Sequence, residues 1–210
     1  ATYYSDDWVI NFWNSESSHM DEELKQIRED GFNSIILVVP WREFQPSMAP
    51  EHYNDYAWEK FDRVMKAAKA QDLKVMLRVG YTWDYYSSEN VLARYEKLLY
   101  DSETKKAWLH YAKRLYEKAS AYDNFSGGFI TWEDFWNFAE NSVFYGSGLA
   151  GRKMASKCGY TQYVKEHYTL EELEEMYQDT FKTYEDVYLP DSLNTYSRKA
   201  FYQFYDDFLN

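Results

Sequence analysis

Cysteine is almost missing from this 210-residue chain, since Cys158 stands alone. A single thiol excludes a disulfide framework within the chain and any Cys/His zinc spacing. Histidine is also sparse. His19, His52, His110 and His167 are scattered, with no Ser/His/Asp arrangement and no nucleophile elbow. His110 falls inside a predicted helix, where a satisfied or solvated ring is the simpler reading than a ligand. There is no G-x-G-x-x-G and no P-loop, so nothing supports nucleotide binding; neither a metal nor another cofactor is expected. Basic charge is short as well: 23 Lys and Arg against 35 Asp and Glu leave a net charge of −12. That balance argues against nucleic-acid and anionic-membrane partners, though it is compatible with a locally basic groove. With no apolar stretch long enough to span a bilayer and no lipidation motif, membrane insertion is not expected. Residues 1–7 do not read as a signal peptide, and they fit a mature or trimmed start.

Aromatic residues are in excess. They make up 20% of the chain, with 22 Tyr, 13 Phe and 8 Trp, more than a core of this size needs. Some Tyr must decorate exposed helix faces. The remainder suits a surface or cleft, because flat rings with polar rims are what sugar rings stack on. The length allows one sizeable core, and 45% hydrophobic content argues against disorder.

Along the chain, strand-like and helix-like segments alternate. Trp8 to Trp13 is a compact apolar run, predicted as a first strand. Met20, Leu24 and Ile27 recur at helical spacing behind Asp21, Glu22 and Glu23, which favour the positive end of the helix dipole, and Gly31 stops that helix. Ser34 to Val39 is apolar and largely β-branched, the habit of strands buried on both faces of a parallel sheet. A loop from Pro40 to Pro46 follows. Trp58, Phe61, Val64, Met65 and Ala68 form the next helix stripe, and Leu73 to Val79 a third strand closed by Gly80. Tyr81 to Tyr86 is an aromatic loop. Trp108, Tyr111, Ala112, Leu115, Tyr116 and Ala119 mark a third helix, and Phe129 to Trp132 a fourth strand, with Gly127 and Gly128 ending the loop before it. This alternation predicts a parallel α/β protein with right-handed crossovers. Residues 141–168, with four glycines, read as a long loop. Thr169 to Glu172 is a capping box for a helix carrying Leu173, Met176, Tyr177 and Tyr184, and Phe201 to Leu209 is a last helix. No repeat, low-complexity tract or linker appears, so residues 1–210 are expected to form a single domain.

The stretch Phe125 to Asn137 carries the chemistry. Glu133 and Asp134 stand where the fourth strand should end, between Trp132 and Trp136. Desolvation among aromatics disfavours a charged carboxylate, so a carboxyl there can keep its proton near neutral pH and act as a general acid. An isolated Trp-Glu-Asp is also explained by a helix cap or an arginine partner, and the surrounding elements have to decide.

The stretch Gly31-Phe32-Asn33-Ser34-Ile35-Ile36-Leu37-Val38-Val39-Pro40-Trp41-Arg42-Glu43-Phe44-Gln45-Pro46 resembles the second-strand motif of the clan A glycoside hydrolases, roughly G-F-N-x-V-R-I-x-x-x-W-x-x-x-x-P. Tyr56 to Val64 looks like their second helix and Asp72 to Leu77 like their third strand, so the similarity covers about residues 8–137. It implies an α/β fold of the (β/α)8 TIM-barrel type with about the first half to two-thirds of the barrel present. The barrel domain is therefore expected to be incomplete, with the remainder of the barrel or a second copy as a partner. The resemblance also implies a glycosidase acting on a polysaccharide or oligosaccharide outside the cell or at its surface, with net retention. In that family the fourth strand ends in Asn-Glu, the Glu being the acid/base. A gap-free match places Glu133 on the Asn and Asp134 on the Glu; a one-residue shift places Glu133 on the Glu and Trp132 on the Asn. Glu133 is favoured, because Glu is the usual family residue and reaches further, and Asp134 is the alternative. Either way the Asn is missing, and Ile36 stands where many members carry Arg.

Trp13, Trp41, Trp83, Trp132 and Trp136 lie at or just past predicted strand ends, which share one face in a barrel. As a set they are expected as sugar platforms, although any one could instead plug the barrel mouth as core. Asn11 and Arg78 lie on predicted strands and can point inward to bind hydroxyls or orient a carboxylate, or can form a satisfied polar layer. Glu43 and Asp84 are loop carboxylates suited to binding hydroxyls. Two functions follow: a glycoside hydrolase, or a carbohydrate-binding protein that keeps the barrel without its chemistry, which the missing Asn and Ile36 motivate.

Overall fold

A computed structural model describes residues 1–9, 11–80, 97–130, 148–190 and 197–209, with side chains through residue 207. The chain divides into two compact units: Ala1–Ser88 with Ser102–Trp132, and Glu89–Asp101 with Glu133–Asn210.

In the first unit, the described residues form a parallel sheet of β1 (Thr2–Tyr3), β2 (Ser34–Pro40), β5 (Lys74–Gly80) and β6 (Phe125–Ile130), in that spatial order. Sequential parallel strands separated by helices are the pattern of a (β/α) barrel, and this is a partial one. The strand register explains the two faces. Ile35, Leu37 and Val39 align with Val75, Leu77 and Val79, and all six are fully buried. This face carries the helices. Tyr3, aligned with Leu37, donates to the Glu23 carboxylate at 2.8 Å from α1 (Met20–Glu29). Gly128, aligned with Leu77, lies against Tyr116 of α4 (Ser102–Ala119). Between them runs α3 (Asp55–Ala70), whose stripe Trp58, Phe61, Val64, Met65 and Ala68 is buried as its spacing predicts. The opposite face, the interior face of a barrel, carries Ile36, Met76, Arg78 and Phe129; Met76 and Phe129 remain partly exposed.

The structure corrects three expectations in this unit. Trp8 to Trp13 does not form the first strand. That strand is Thr2–Tyr3, while Asn11–Asn14 is a 3-10 turn. A compact apolar run is consistent with either, and tertiary contacts decide. The segment after β2 is not all loop: Trp41–Phe44 forms a short helix, α2, followed by a hairpin of β3 (Ser47–Met48) and β4 (Glu51–His52). The fourth strand starts at Phe125, so Gly127 and Gly128 lie inside it. Gly127 has φ +114°, and the register skips a residue opposite Met76, as in a β-bulge. Residues 131 and 132 of the expected strand lie outside the described residues.

The second unit is helical in its described residues: α5 (Leu149–Ser156), α6 (Tyr160–His167), α7 (Leu170–Tyr177), a 3-10 turn at Tyr184–Asp186, and α8 (Ser197–Leu209). Residues 148–168 are therefore not a loop. Gly148 and Gly159 stand immediately before two helices rather than inside an irregular segment. The Thr169–Glu172 capping box is formed as predicted. Its helix stops at Tyr177, however, because Gln178 turns left-handed with φ 52°, and Tyr184 lies in the separate turn. Leu173, Tyr160, Val164, Phe201 and Phe204 are buried in this unit, as is the Cys158 thiol. No helix among the described residues is long and apolar enough to cross a membrane.

Candidate functional site

The segments that follow β1 and β2 enclose an open cleft of about 610 Å³ lined by Asn11, Asn14, Ser15, Arg42, Glu43, Pro46 and Asn54. In parallel α/β sheets, this carboxyl edge is where the connecting loops build ligand sites. Two indoles hold the loops in place. Trp13 is fully buried against Phe12, Phe44 and Phe61, and its Nε1 donates to the Val38 carbonyl at 2.9 Å. This ties the 3-10 turn to β2. Trp41 is 1% exposed, stacks on Tyr111, and donates to Gln45 Oε1 at 2.6 Å. Gln45, itself buried, donates to the Glu51 carboxylate at 3.0 Å, which also accepts from Tyr53 at 2.6 Å. Burial, together with this bond to Glu51, pushes the Tyr53 phenol up to about 12.

Three polar side chains of the cleft, Asn14, Glu43 and Asn54, are joined to one another. The Asn14 amide donates to the Glu43 carboxylate. Asn54 donates to Asn14 Oδ1 at 3.3 Å and to the Glu43 carbonyl at 3.0 Å. Its own Oδ1 accepts from the Ala57 amide at 3.4 Å, so the residue that starts α3 also lines the cleft. Beneath the turn lies Lys60 of α3, with no solvent exposure. Desolvation pulls its ammonium down to about 8, against the opposing pull of Asp7, Glu16 and Glu23; Arg63 adds to the lowering.

Carboxamides offer donors and acceptors together, and Glu43 and Ser15 add acceptors while Arg42 adds donors. Such a lining suits a neutral ligand rich in hydroxyls. Among the described residues the lining contains no thiol and no imidazole, and no group of three or more His, Cys, Asp or Glu could hold a metal ion.

The residues predicted from sequence separate into four groups. Asn11 lines the cleft, from the 3-10 turn rather than from a strand. Arg78 does lie on a strand, half-buried on the barrel-interior register between Val38 and Phe129. Trp13 and Trp41, expected as sugar platforms, are core residues, since a fully enclosed ring has no face to offer a ligand. Glu133, Asp134, Trp83, Trp132, Trp136 and Asp84 lie outside the described residues. The sequence reading missed Asn14, Asn54 and Lys60. Asn54 carried a signal, a cap residue directly before a strongly amphipathic helix. Lys60 carried one too, a lysine next to Phe61 on the flank of that helix's apolar stripe.

No family model matches this sequence, and no curated protein does. Among solved structures, the chain is similar to a GH5_18 variant from Bifidobacterium longum subsp. longum ATCC 55813 in complex with Manb1-4GlcNAc, with a TM-score of 0.51 and 17% identity over 73% of this chain and 39% of that one. It also matches a GH5_18 from Bifidobacterium longum subsp. infantis at a TM-score of 0.48 and 18% identity, over 60% of this chain and 31% of that one. The chain thus spans less than half the length of either structure. At this identity the likeness to the complex with Manb1-4GlcNAc is one of fold, and it agrees with the barrel type that the second-strand motif implies.

Proposed function

We propose that this chain is part of a glycoside hydrolase that cleaves an oligosaccharide or polysaccharide, with net retention. Glu133 is its acid/base and Asp134 the alternative. The observation that supports the reading best is the cleft of linked carboxamides beside Glu43 and Arg42 at the carboxyl edge of a parallel sheet. Glycosidic cleavage needs an acid to protonate the leaving oxygen and a second carboxylate, as nucleophile or as base for water. The chain continues from β6, which is described to Ile130, into Trp132-Glu133-Asp134. A barrel neighbour is solved with Manb1-4GlcNAc, which makes that disaccharide the first ligand to try. The protein would act outside the cell or at its surface, together with the rest of the barrel or a second copy.

A second reading has its own observation. Ile36, aligned with Met76, occupies the barrel-interior face where many clan A members carry Arg, which favours a carbohydrate-binding protein without turnover. Hydrolysis and binding of Manb1-4GlcNAc by the wild type, Glu133→Gln and Asp134→Asn separate the two. Loss of the acid should lower turnover about 10²–10⁴-fold with binding retained. Full activity in both variants refutes the assignment, and binding by the wild type without turnover selects the second reading.

A further inference from the structure

We propose that Lys60 is a positioning residue for the cleft, fastening the 3-10 turn that presents Asn11 and Asn14; its effect on ligand affinity rests on the saccharide reading above. Lys60 sends its side chain from α3 into the space under the turn, where it has no solvent exposure. Its Nζ donates to the Phe12 carbonyl, to the Ser15 carbonyl at 2.8 Å and to Ser15 Oγ at 3.5 Å, and lies 3.9 Å from the centroid of the Phe12 ring. One group therefore holds two backbone carbonyls three residues apart and closes the turn from below. Tyr56, one helical turn earlier, supports the same point by donating to the Ser15 carbonyl at 2.9 Å. Ser15 Oγ in turn donates to the Asp7 carboxylate.

An ammonium is costly to bury, and a short turn can be held by water or by a neutral donor. A buried lysine is explained if the turn must keep one shape. From its present position Asn14 reaches Glu43 and Asn54, and these three residues make up much of the polar lining. The charged groups around Lys60 come from every neighbouring element: Asp7 before the turn, Glu16 after it, Glu23 on α1 and Arg63 on α3. The three carboxylates favour the charged form and Arg63 opposes it.

Lys60→Met keeps the stem and removes the donors, while Lys60→Arg keeps donors and charge. Hydrogen exchange of the Phe12 amide, bonded to the Trp8 carbonyl at 3.0 Å, reads the turn directly. In Lys60→Met that amide should exchange at least tenfold faster, with the amides of Val38 and Leu77 unchanged. The Kd for Manb1-4GlcNAc should rise at least tenfold, and Lys60→Arg should recover part of both. Unchanged exchange at Phe12 overturns the proposal, and so does a loosened turn with undiminished affinity. A wild type that does not bind the disaccharide refutes the saccharide reading instead, and the exchange rates then decide whether Lys60 fastens the turn. Should Lys60→Met fail to fold, the wild type still answers by NMR. Ammonium protons held by these acceptors away from water should give their own slowly exchanging signal below pH 8, and a fast-exchanging, solvated ammonium overturns the proposal.

Discussion

Replacing Gly128 by alanine tests how β6 is seated, and β6 is the strand that runs toward Glu133. A Cβ built on Gly128 would lie 2.7 Å from the Tyr116 hydroxyl, 2.8 Å from the Leu77 carbonyl oxygen and 3.1 Å from Leu77 Cβ. The first obstacle is the far end of a side chain and can swing away. The second is backbone of β5, directly aligned with Gly128 and carrying a fully buried side chain, so relief requires the two strands to part by roughly half an ångström. Overpacking of this kind costs about 1–3 kcal/mol, offset by roughly 0.4–1 kcal/mol from the narrower unfolded ensemble of alanine. The net expectation is a loss of about 1–2 kcal/mol, seen as a lower urea midpoint with unchanged slope. In a Tyr116→Phe background the loss should shrink but persist, because the Leu77 carbonyl remains. Gly127→Ala is the control. None of the described residues lies within 4 Å of its Cβ, but its φ of +114° strains any L residue. Its cost, about 1–3 kcal/mol, should be indifferent to Tyr116→Phe. A Gly128→Ala protein as stable as wild type, or one fully rescued by Tyr116→Phe, would refute the claim that the β5 backbone sets this contact.

Two further expectations concern the cleft. Trp13→Ala and Trp41→Ala should each cost about 3–5 kcal/mol of stability, because both indoles are core; a variant with wild-type unfolding and lost disaccharide affinity would restore the platform role and overturn the core assignment. The Lys60 ammonium has its pKa lowered in the folded state, from 10.5 to about 8. Between these values the unfolded chain binds more protons, so stability should rise with pH there. The difference in unfolding free energy between wild type and Lys60→Met, measured from pH 7 to 10, cancels the tyrosine titrations; a flat difference would place the ammonium in water.

The elements legible in the sequence are those whose signal is local. Ser34 to Val39 and Leu73 to Val79 read as strands from continuous β-branched and apolar character, and they form the paired centre of the sheet. The α3 stripe and the Thr169 capping box read equally well, because spacing and cap chemistry act within a few residues. The errors arise where distant partners decide. Thr2–Tyr3 is too short to show periodicity, and it is a strand because Ile36 donates to the Ala1 carbonyl at 2.7 Å and Tyr3 reaches Glu23. Trp8 to Trp13 was the better strand by composition, yet the buried Trp13 side chain is committed to Val38, Phe44 and Phe61, which holds that segment as a turn.

The same distinction governs the site. Sequence position placed tryptophans at strand ends and so proposed rings open to a sugar, but burial is set by what packs over them. At Trp13 and Trp41 those neighbours are aromatic residues from α2, α3 and α4. The aromatic surplus is therefore spent, in part, on fixing two loops against the sheet. What those loops then present outward is polar: Asn11 and Asn14 on one side, Arg42 and Glu43 on the other, with Asn54 bridging them. A motif search that follows rings or carboxylates passes over such residues, because carboxamides at turns and caps have local backbone roles that explain them. Asn54 has both roles at once, capping α3 through its oxygen and joining Asn14 to Glu43 through its nitrogen. That double use couples the shape of the cleft to the start of α3, and Lys60, less than two turns further along the same helix, holds the turn that carries Asn11 and Asn14.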